Sequence, residues 1–142
     1  MDISSEIKGM SGEGYLVVRV STASGAIPLM GAQVTVRGED ENNKNFYKAV
    51  YSGASGLTEK MALPAPMRSL SEAPSESPQK PYALYSIDVF SEGYIDLFFV
   101  KVPIFDTITS IQPANMIPKP DNEYGDNFAP YENELRGGED YE

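Results

Sequence analysis

Carboxylates are the main side chains in this sequence that could do acid–base chemistry. The 142 residues include no histidine and no cysteine, which excludes an imidazole general base, a thiol nucleophile, a disulfide and the histidine or thiolate ligands of zinc. The candidate glycosidase pairs are Glu92 with Asp96 and Asp88 with Asp106. Nothing in the sequence around either pair indicates a cleft. We therefore assign no catalytic residue and expect a chain that is not an enzyme.

The acidic stretch 40–45, Asp-Glu-Asn-Asn-Lys-Asn, is the candidate for a calcium loop. Calcium takes oxygen ligands at a defined spacing, and the spacing here does not fit an EF-hand. Lys44 also places a cation among the would-be ligands. The sequence therefore predicts a solvated hairpin tip, with no metal site and no cofactor.

The elements that must carry these side chains are predicted to be short strands, because apolar and polar residues alternate at period two. Pro103 interrupts the apolar run 95–105, and we expect a strand that ends near Val102, followed by a kink or bulge that ends central pairing. Leu57, Met61 and Leu63 are predicted to face inward. The predicted strands span residues 15–22, 32–37, 46–51, 57–63, 82–90, 95–102 and 107–116.

Proline and charge divide the chain into regions. Five prolines between Pro64 and Pro81 predict a long surface loop. From Lys119 onward, eight acids face two bases, a net −6 of the chain's −10. We predict a flexible N-terminal arm at 1–13, a β-sandwich at 14–118 and an acidic, aromatic-containing disordered tail at 119–142.

The acidic balance also limits the partners. Phosphate backbones and anionic membranes need a basic patch, so nucleic acid is not expected as a partner. No window approaches the roughly 18 apolar residues of a membrane span. The first residues also lack the basic and apolar regions of a signal peptide. We therefore expect no membrane insertion. The lack of cysteine suits the cytoplasm or a Gram-positive type of cell surface.

Tyrosines are the other candidates for contact. Tyr85 and Tyr94 are expected in the core, with a hydroxyl bonded to backbone. For Tyr82, core packing of this kind is the alternative to contact with a partner. A small set of aromatic residues is predicted to contact a partner. Its members are Tyr82, Tyr124, Phe128 and Tyr131.

Three segments in order resemble carboxypeptidase-regulatory-like domains, which belong with the transthyretin-like and adhesin B-type sandwiches. Residues 27–36, Ile-Pro-Leu-Met-Gly-Ala-Gln-Val-Thr-Val, are similar to the opening of that family. Residues 55–58 look like its Gly-x-Thr turn, without the acidic position. Residues 85–94 are similar to its Tyr-x-Ile-x-Val…Gly-Tyr segment. The resemblance implies an all-β, seven-stranded Greek-key β-sandwich of the transthyretin-like or prealbumin-like type.

A closer likeness is to the N-terminal domain of clostridial spore cortex-lytic enzymes and its stand-alone relatives. Residues 63–66, 80–85 and 102–118 carry it. In that family the catalytic part lies elsewhere, which implies an accessory role here. Adhesin B-type domains can also form an internal isopeptide bond. In this chain Lys101 with Asn115 and Asp88 is the conceivable set, against the plainer interpretation of a surface lysine and a turn asparagine.

Three functions follow in order of preference. The first is a non-catalytic binding or assembly module, accessory to spore-cortex or cell-wall processes, whose partners are protein or peptidoglycan. The second is a structural subunit of a surface fibre, phage or injection assembly. The third is a carboxylate-based hydrolase.

Overall fold

The computed structural model describes residues 10–67 and 80–120, which form an all-β fold of two sheets packed face to face. The strands are β1 (Gly12–Thr22), β2 (Ile27–Pro28), β3 (Gln33–Gly38), β4 (Tyr47–Tyr51), β5 (Met61–Ala65), β6 (Tyr82–Phe90), β7 (Leu97–Phe105) and β8 (Thr109–Met116). One 3-10 turn, Glu41–Asn43, joins β3 to β4. Among these residues no helix is long and apolar enough to cross a membrane.

The first sheet is organised around β1. Along one edge β8 pairs with β1 in parallel, from Tyr15 opposite Thr109 to Thr22 opposite Met116. The other edge of β1 is shared by two antiparallel strands, β5 beside its first half and β2 beside its last residues. The parallel pairing joins the two ends of the fold and is not visible in the local sequence.

The second sheet is antiparallel throughout, in the order β4-β3-β6-β7. Its inner face packs against the first sheet, and both contribute to one buried apolar cluster. Period-two alternation explains this, because every second residue of a strand faces the same side. The predicted inward set of β6, Tyr85, Ile87 and Val89, is fully buried.

Five details of the strands differ from the sequence prediction. Met10 is buried and β1 begins at Gly12, so residues 10–13 are part of the sandwich and not of an arm. Leu57 is 41% exposed, whereas Met61 and Leu63 are buried as predicted. The strand β2 was not predicted. Pro64 lies inside β5 and is buried, so it is not part of a surface loop.

The fifth detail is Pro103, which lies within β7 and does not end it. The strand runs at the edge of its sheet, where a missing N–H is tolerated. The irregularity falls earlier, between the pairs Tyr85–Val102 and Ile87–Phe99, where two β7 residues oppose one β6 residue. Lys101, with φ of 56°, lies in this bulge.

Residues 68–79 and 121–142 lie outside the described residues, as do positions 1–9. The tail prediction, and with it Tyr124, Phe128 and Tyr131, therefore stays a prediction.

Tyr85 links the two sheets through a polar bond inside the core. Its hydroxyl donates to the Pro64 carbonyl of β5, and the edge of its ring meets Phe46 at a centroid distance of 5.5 Å. The core role predicted for this tyrosine is confirmed. Burial, the largest cause, raises the pKa of the phenol above its ordinary value of 10.0, because the charged form loses its hydration.

Replacing Tyr85 with Phe is expected to lower the unfolding free energy by about 1–3 kcal/mol, since the buried Pro64 carbonyl loses its donor. The raised pKa adds a pH effect. The unfolded chain releases this proton from about pH 10, whereas the folded chain keeps it. The contribution of Tyr85 to the unfolding free energy is therefore fully present below pH 10 and is lost as the pH rises above it. Between pH 8 and pH 11, the unfolding free energy measured with urea should fall further for the wild type than for Tyr85→Phe. Equal losses would contradict this assignment.

The turn before β5 depends on Gly56, which has a positive φ of 84° as the sequence predicts. A Cβ there would lie 2.5 Å from the Val20 carbonyl oxygen. Gly25 also has a positive φ, but a Cβ there meets nothing within 4 Å.

Gly56→Ala is therefore expected to cost more stability than Gly25→Ala. Both carry the left-handed penalty of about 1–2 kcal/mol, and only the first adds a clash with backbone. Urea denaturation midpoints with unchanged slopes will measure the difference. Equal midpoints for the two variants would show that the turn relaxes without cost.

Candidate functional site

A shallow groove of about 490 Å³ crosses the outer face of the second sheet. Its position follows from register. Along β3 and β6, the residues that alternate with the buried ones must face outward. Strand pairing then aligns these outward residues in rows across the sheet. We call this feature the aromatic groove. It is lined by Gln33, Thr35, Arg37, Tyr47, Asp88, Val89, Phe90, Asp96, Leu97 and Phe98.

The floor of the groove is a row of small or short side chains. Thr35 of β3 pairs with Ala49 of β4 on one side and with Asp88 of β6 on the other. The hydroxyl-bearing Thr35 is only 9% exposed although it faces outward. The larger neighbours therefore rise above this row and form the walls.

The walls are aromatic rings. Tyr47 is 60% exposed, Phe90 48% and Phe98 64%, and Tyr51 next to the groove is 64% exposed. Phe98 lies directly opposite Asp88 in the β6–β7 ladder. Several large rings exposed on one face of a sheet mark a surface that contacts something else.

An ion pair lies among the lining residues of the groove. Arg37 Nη1 lies 3.0 Å from Asp88 Oδ2, and the two side chains are 51% and 41% exposed. The guanidinium carbon also lies 5.3 Å from the centroid of the Tyr47 ring. The second carboxylate oxygen, Asp88 Oδ1, is covered and has no hydrogen-bond donor among the described residues.

The other predicted sites are dispersed by the fold. Asp88 faces outward opposite Phe98, while Asp106 follows the end of β7 at Phe105. Along β6 the two levels, at Asp88 and at Tyr82 opposite Phe105, are six residues apart, roughly 20 Å, so the two carboxylates do not form a catalytic pair. Asp96 lines the groove and Glu92 does not. The structure therefore does not bring either predicted pair to this groove.

The conceivable isopeptide set is also separated. Lys101 lies in the β7 bulge, where its backbone N–H donates to Glu39 Oε2 at 3.1 Å. Asn115 is exposed on β8 of the first sheet, whereas Asp88 faces outward from the second. Asp88 and Asn115 therefore lie on opposite outer surfaces, with the core between them.

The acidic stretch 40–45 makes bonds within the fold. The Asp40 carboxylate accepts a hydrogen bond from the Leu84 N–H at 2.8 Å and pairs with Lys80. The buried Asn43 amide oxygen accepts from the Asp40 N–H, and its nitrogen donates to the Leu84 carbonyl. Within residues 10–67 and 80–120, no three acidic side chains are grouped to hold a metal ion. This stretch fastens the β3–β4 connection to β6.

Tyr82, the predicted contact residue that the structure describes, lies near Phe105 and away from the groove. Its ring meets Phe105 edge-on at 5.6 Å, and Lys80 Nζ lies 5.6 Å from the ring centroid. Sequence reasoning missed the groove residues Tyr47, Phe90 and Phe98 as a site. The available signal was the alternation of side chains along three segments of strand type, which directs these three rings to the outer face.

Comparison with known proteins gives the fold and no family. No family model matches the chain, and no curated protein matches its sequence. The Bacillus anthracis TIE protein matches with a TM-score of 0.50 and 16% identity, over 75% of this chain and 17% of that chain. The 3-chlorocatechol 1,2-dioxygenase from Rhodococcus opacus 1CP matches with a TM-score of 0.51 and 11% identity, over 76% and 60%.

These similarities show the fold alone, because identity is low and the chain spans only part of each protein. Both support the all-β, two-sheet architecture seen here.

The two ion pairs on Asp40 and Asp88 are expected to differ in their value to stability. Asp88→Asn should change the unfolding free energy by less than about 1 kcal/mol, because exposed pairs are screened by water. Asp40→Asn should cost about 1.5–3 kcal/mol, because a partly buried, charge-assisted bond to the Leu84 N–H is weakened. Thermal and urea unfolding of both variants will test this. A greater loss for Asp88→Asn would identify the groove pair as a structural element.

Proposed function

We propose that this chain is a non-catalytic binding module, accessory to spore-cortex or cell-wall processes, and that the aromatic groove is its contact surface for peptidoglycan. The observation that carries the proposal is the set of exposed rings above a floor of small residues. Rigid strands hold these rings, so little side-chain freedom is lost when a ligand is bound.

The chemistry of the groove suits a ligand with both apolar and polar faces. The Phe90 and Phe98 rings offer apolar faces on which a flat ligand stacks. Gln33, Thr35 and Asp88 line the same groove and supply hydrogen-bonding groups. This combination of aromatic walls and a few polar groups is typical of ligand sites.

The family resemblance supports the biological context of the proposal. Within it we assign the sandwich to the transthyretin-like, Greek-key type that the segments 27–36 and 85–94 imply. In the structure the first of these segments contains β2 and most of β3, and the second contains most of β6. Val34, Val36, Ile87 and Val89 from these segments pack in the core, so the matching motifs are those that build the scaffold.

A second candidate is a structural subunit, and the free edge of β8 favours it. The Tyr15 N–H donates to the Ile108 carbonyl, so alternation points the backbone groups of Thr109, Ile111 and Asn115 away from β1. No strand among the described residues pairs with that edge. Residues 107–118 carry no charge. An uncharged edge strand accepts a strand from another chain.

The binding proposal is tested by cosedimentation with purified, insoluble Gram-positive peptidoglycan. Phe98→Ala is expected to weaken binding about tenfold, as loss of a central aromatic contact does. Ile111→Ala is the matched control, since Ile111 is similarly exposed, at 58% against 64%, but lies on the opposite sheet. It should bind like the wild type.

Absence of wild-type binding would contradict the proposal. If the chain instead forms oligomers that grow with concentration in sedimentation velocity, the structural-subunit candidate is favoured. An equal effect of both substitutions would show that the groove is not the contact surface.

A further inference from the structure

The two ends of the aromatic groove repeat one chemical arrangement, and among residues 10–67 and 80–120 only one end holds a cation. At the first end, Arg37 lies between the Tyr47 ring, 5.3 Å from its centroid, and the Asp88 carboxylate at 3.0 Å. Ring and carboxylate together stabilise the guanidinium, since a ring face carries negative electrostatic potential. This end shows how the groove accommodates positive charge.

The second end has the same groups without a cation. Asp88 pairs with Phe98 across β6 and β7, and Val89 pairs with Leu97. Continuing this register by one pair places Asp96 opposite Phe90. Two rings and two carboxylates therefore alternate around one point of the groove, and all four side chains line it.

The charge at this end is not compensated within the described part of the chain. Asp96 is exposed and makes no ion pair there. Asp88 receives Arg37 on one oxygen, and its other oxygen, which is covered, has no donor among the residues that the structure describes. Of the described residues that line the groove, Arg37 alone is basic and two, Asp88 and Asp96, are acidic. The groove is therefore complementary to a positively charged group.

We infer that the Phe90, Asp96 and Phe98 end of the groove binds a primary ammonium group, supplied by the free amines of the peptidoglycan stem peptides. This rests on the proposed function, because it takes the groove as the peptidoglycan contact surface, and it names the group recognised there. The rings receive the ammonium on their faces, and Asp96 supplies the countercharge. A neutral sugar would leave the countercharge of Asp96 unused. The chain's net charge of −10 attracts such a ligand from a distance.

The experiment compares two forms of one ligand. Native insoluble peptidoglycan and the same material N-acetylated with acetic anhydride differ in their amines and share their glycan. Wild-type binding is expected to fall about fivefold on acetylation, the worth of an exposed cation–ring contact. Asp96→Asn should weaken binding to native peptidoglycan by a similar factor and leave binding to the acetylated form unchanged.

A matched charge control separates this site from general attraction. Glu13→Gln removes one negative charge from β1 of the opposite sheet and keeps the oxygen that accepts from Tyr15. It should bind native peptidoglycan like the wild type. If Glu13→Gln and Asp96→Asn weaken binding equally, the effect is net charge and the ammonium site is overturned.

The remaining outcomes distinguish the two proposals. Binding that Phe98→Ala weakens but acetylation and Asp96→Asn do not would keep the proposed function and identify a neutral glycan as the ligand, which overturns the ammonium site. If peptidoglycan does not bind, while an acetylated penta-lysine amide perturbs the NMR resonances of residues 88–98, the proposed function fails and the cation comes from a protein. That result overturns the inference that the ammonium group belongs to peptidoglycan.

Discussion

The outer face of the second sheet depends on the burial of its inner face. Val34, Val36, Ile87 and Val89 are fully buried, and their burial fixes which residues of β3 and β6 face the core. A slip by one residue would turn these valines and the isoleucine to water and bring Thr35 and Asp88 into the core. Because that exchange is costly, the groove is held in place by the core behind it.

Strand edges explain where the fold departs from regular pairing. Pro103 is accommodated because β7 has no neighbour beyond it in the sheet, and the bulge at Lys101 bends the same strand. In β8, alternate residues direct their backbone groups away from β1, and Pro113 is one of these residues. Its missing N–H therefore removes no bond to β1. Both prolines therefore shape edges, which are the places where sheets meet partners.

Fold and function are separate conclusions here. The similarities to a Bacillus anthracis protein and to a catechol dioxygenase concern the arrangement of strands, and one sandwich fold supports many unrelated activities. The proposed function therefore depends on what the outer face displays. Its exposed rings and its excess of carboxylate over guanidinium belong to this chain's own side chains.

The sequence by itself determined the all-β class, the position of most strands and the inward set of Tyr85, Ile87 and Val89, because period-two alternation is a local property. It did not determine the exposure of Leu57 or the parallel pairing of β1 with β8, which depend on neighbours far away in the chain. The groove was likewise decided by tertiary structure. Arg37 and Asp88 are 51 positions apart, and only the pairing of β3 with β6 brings them into contact.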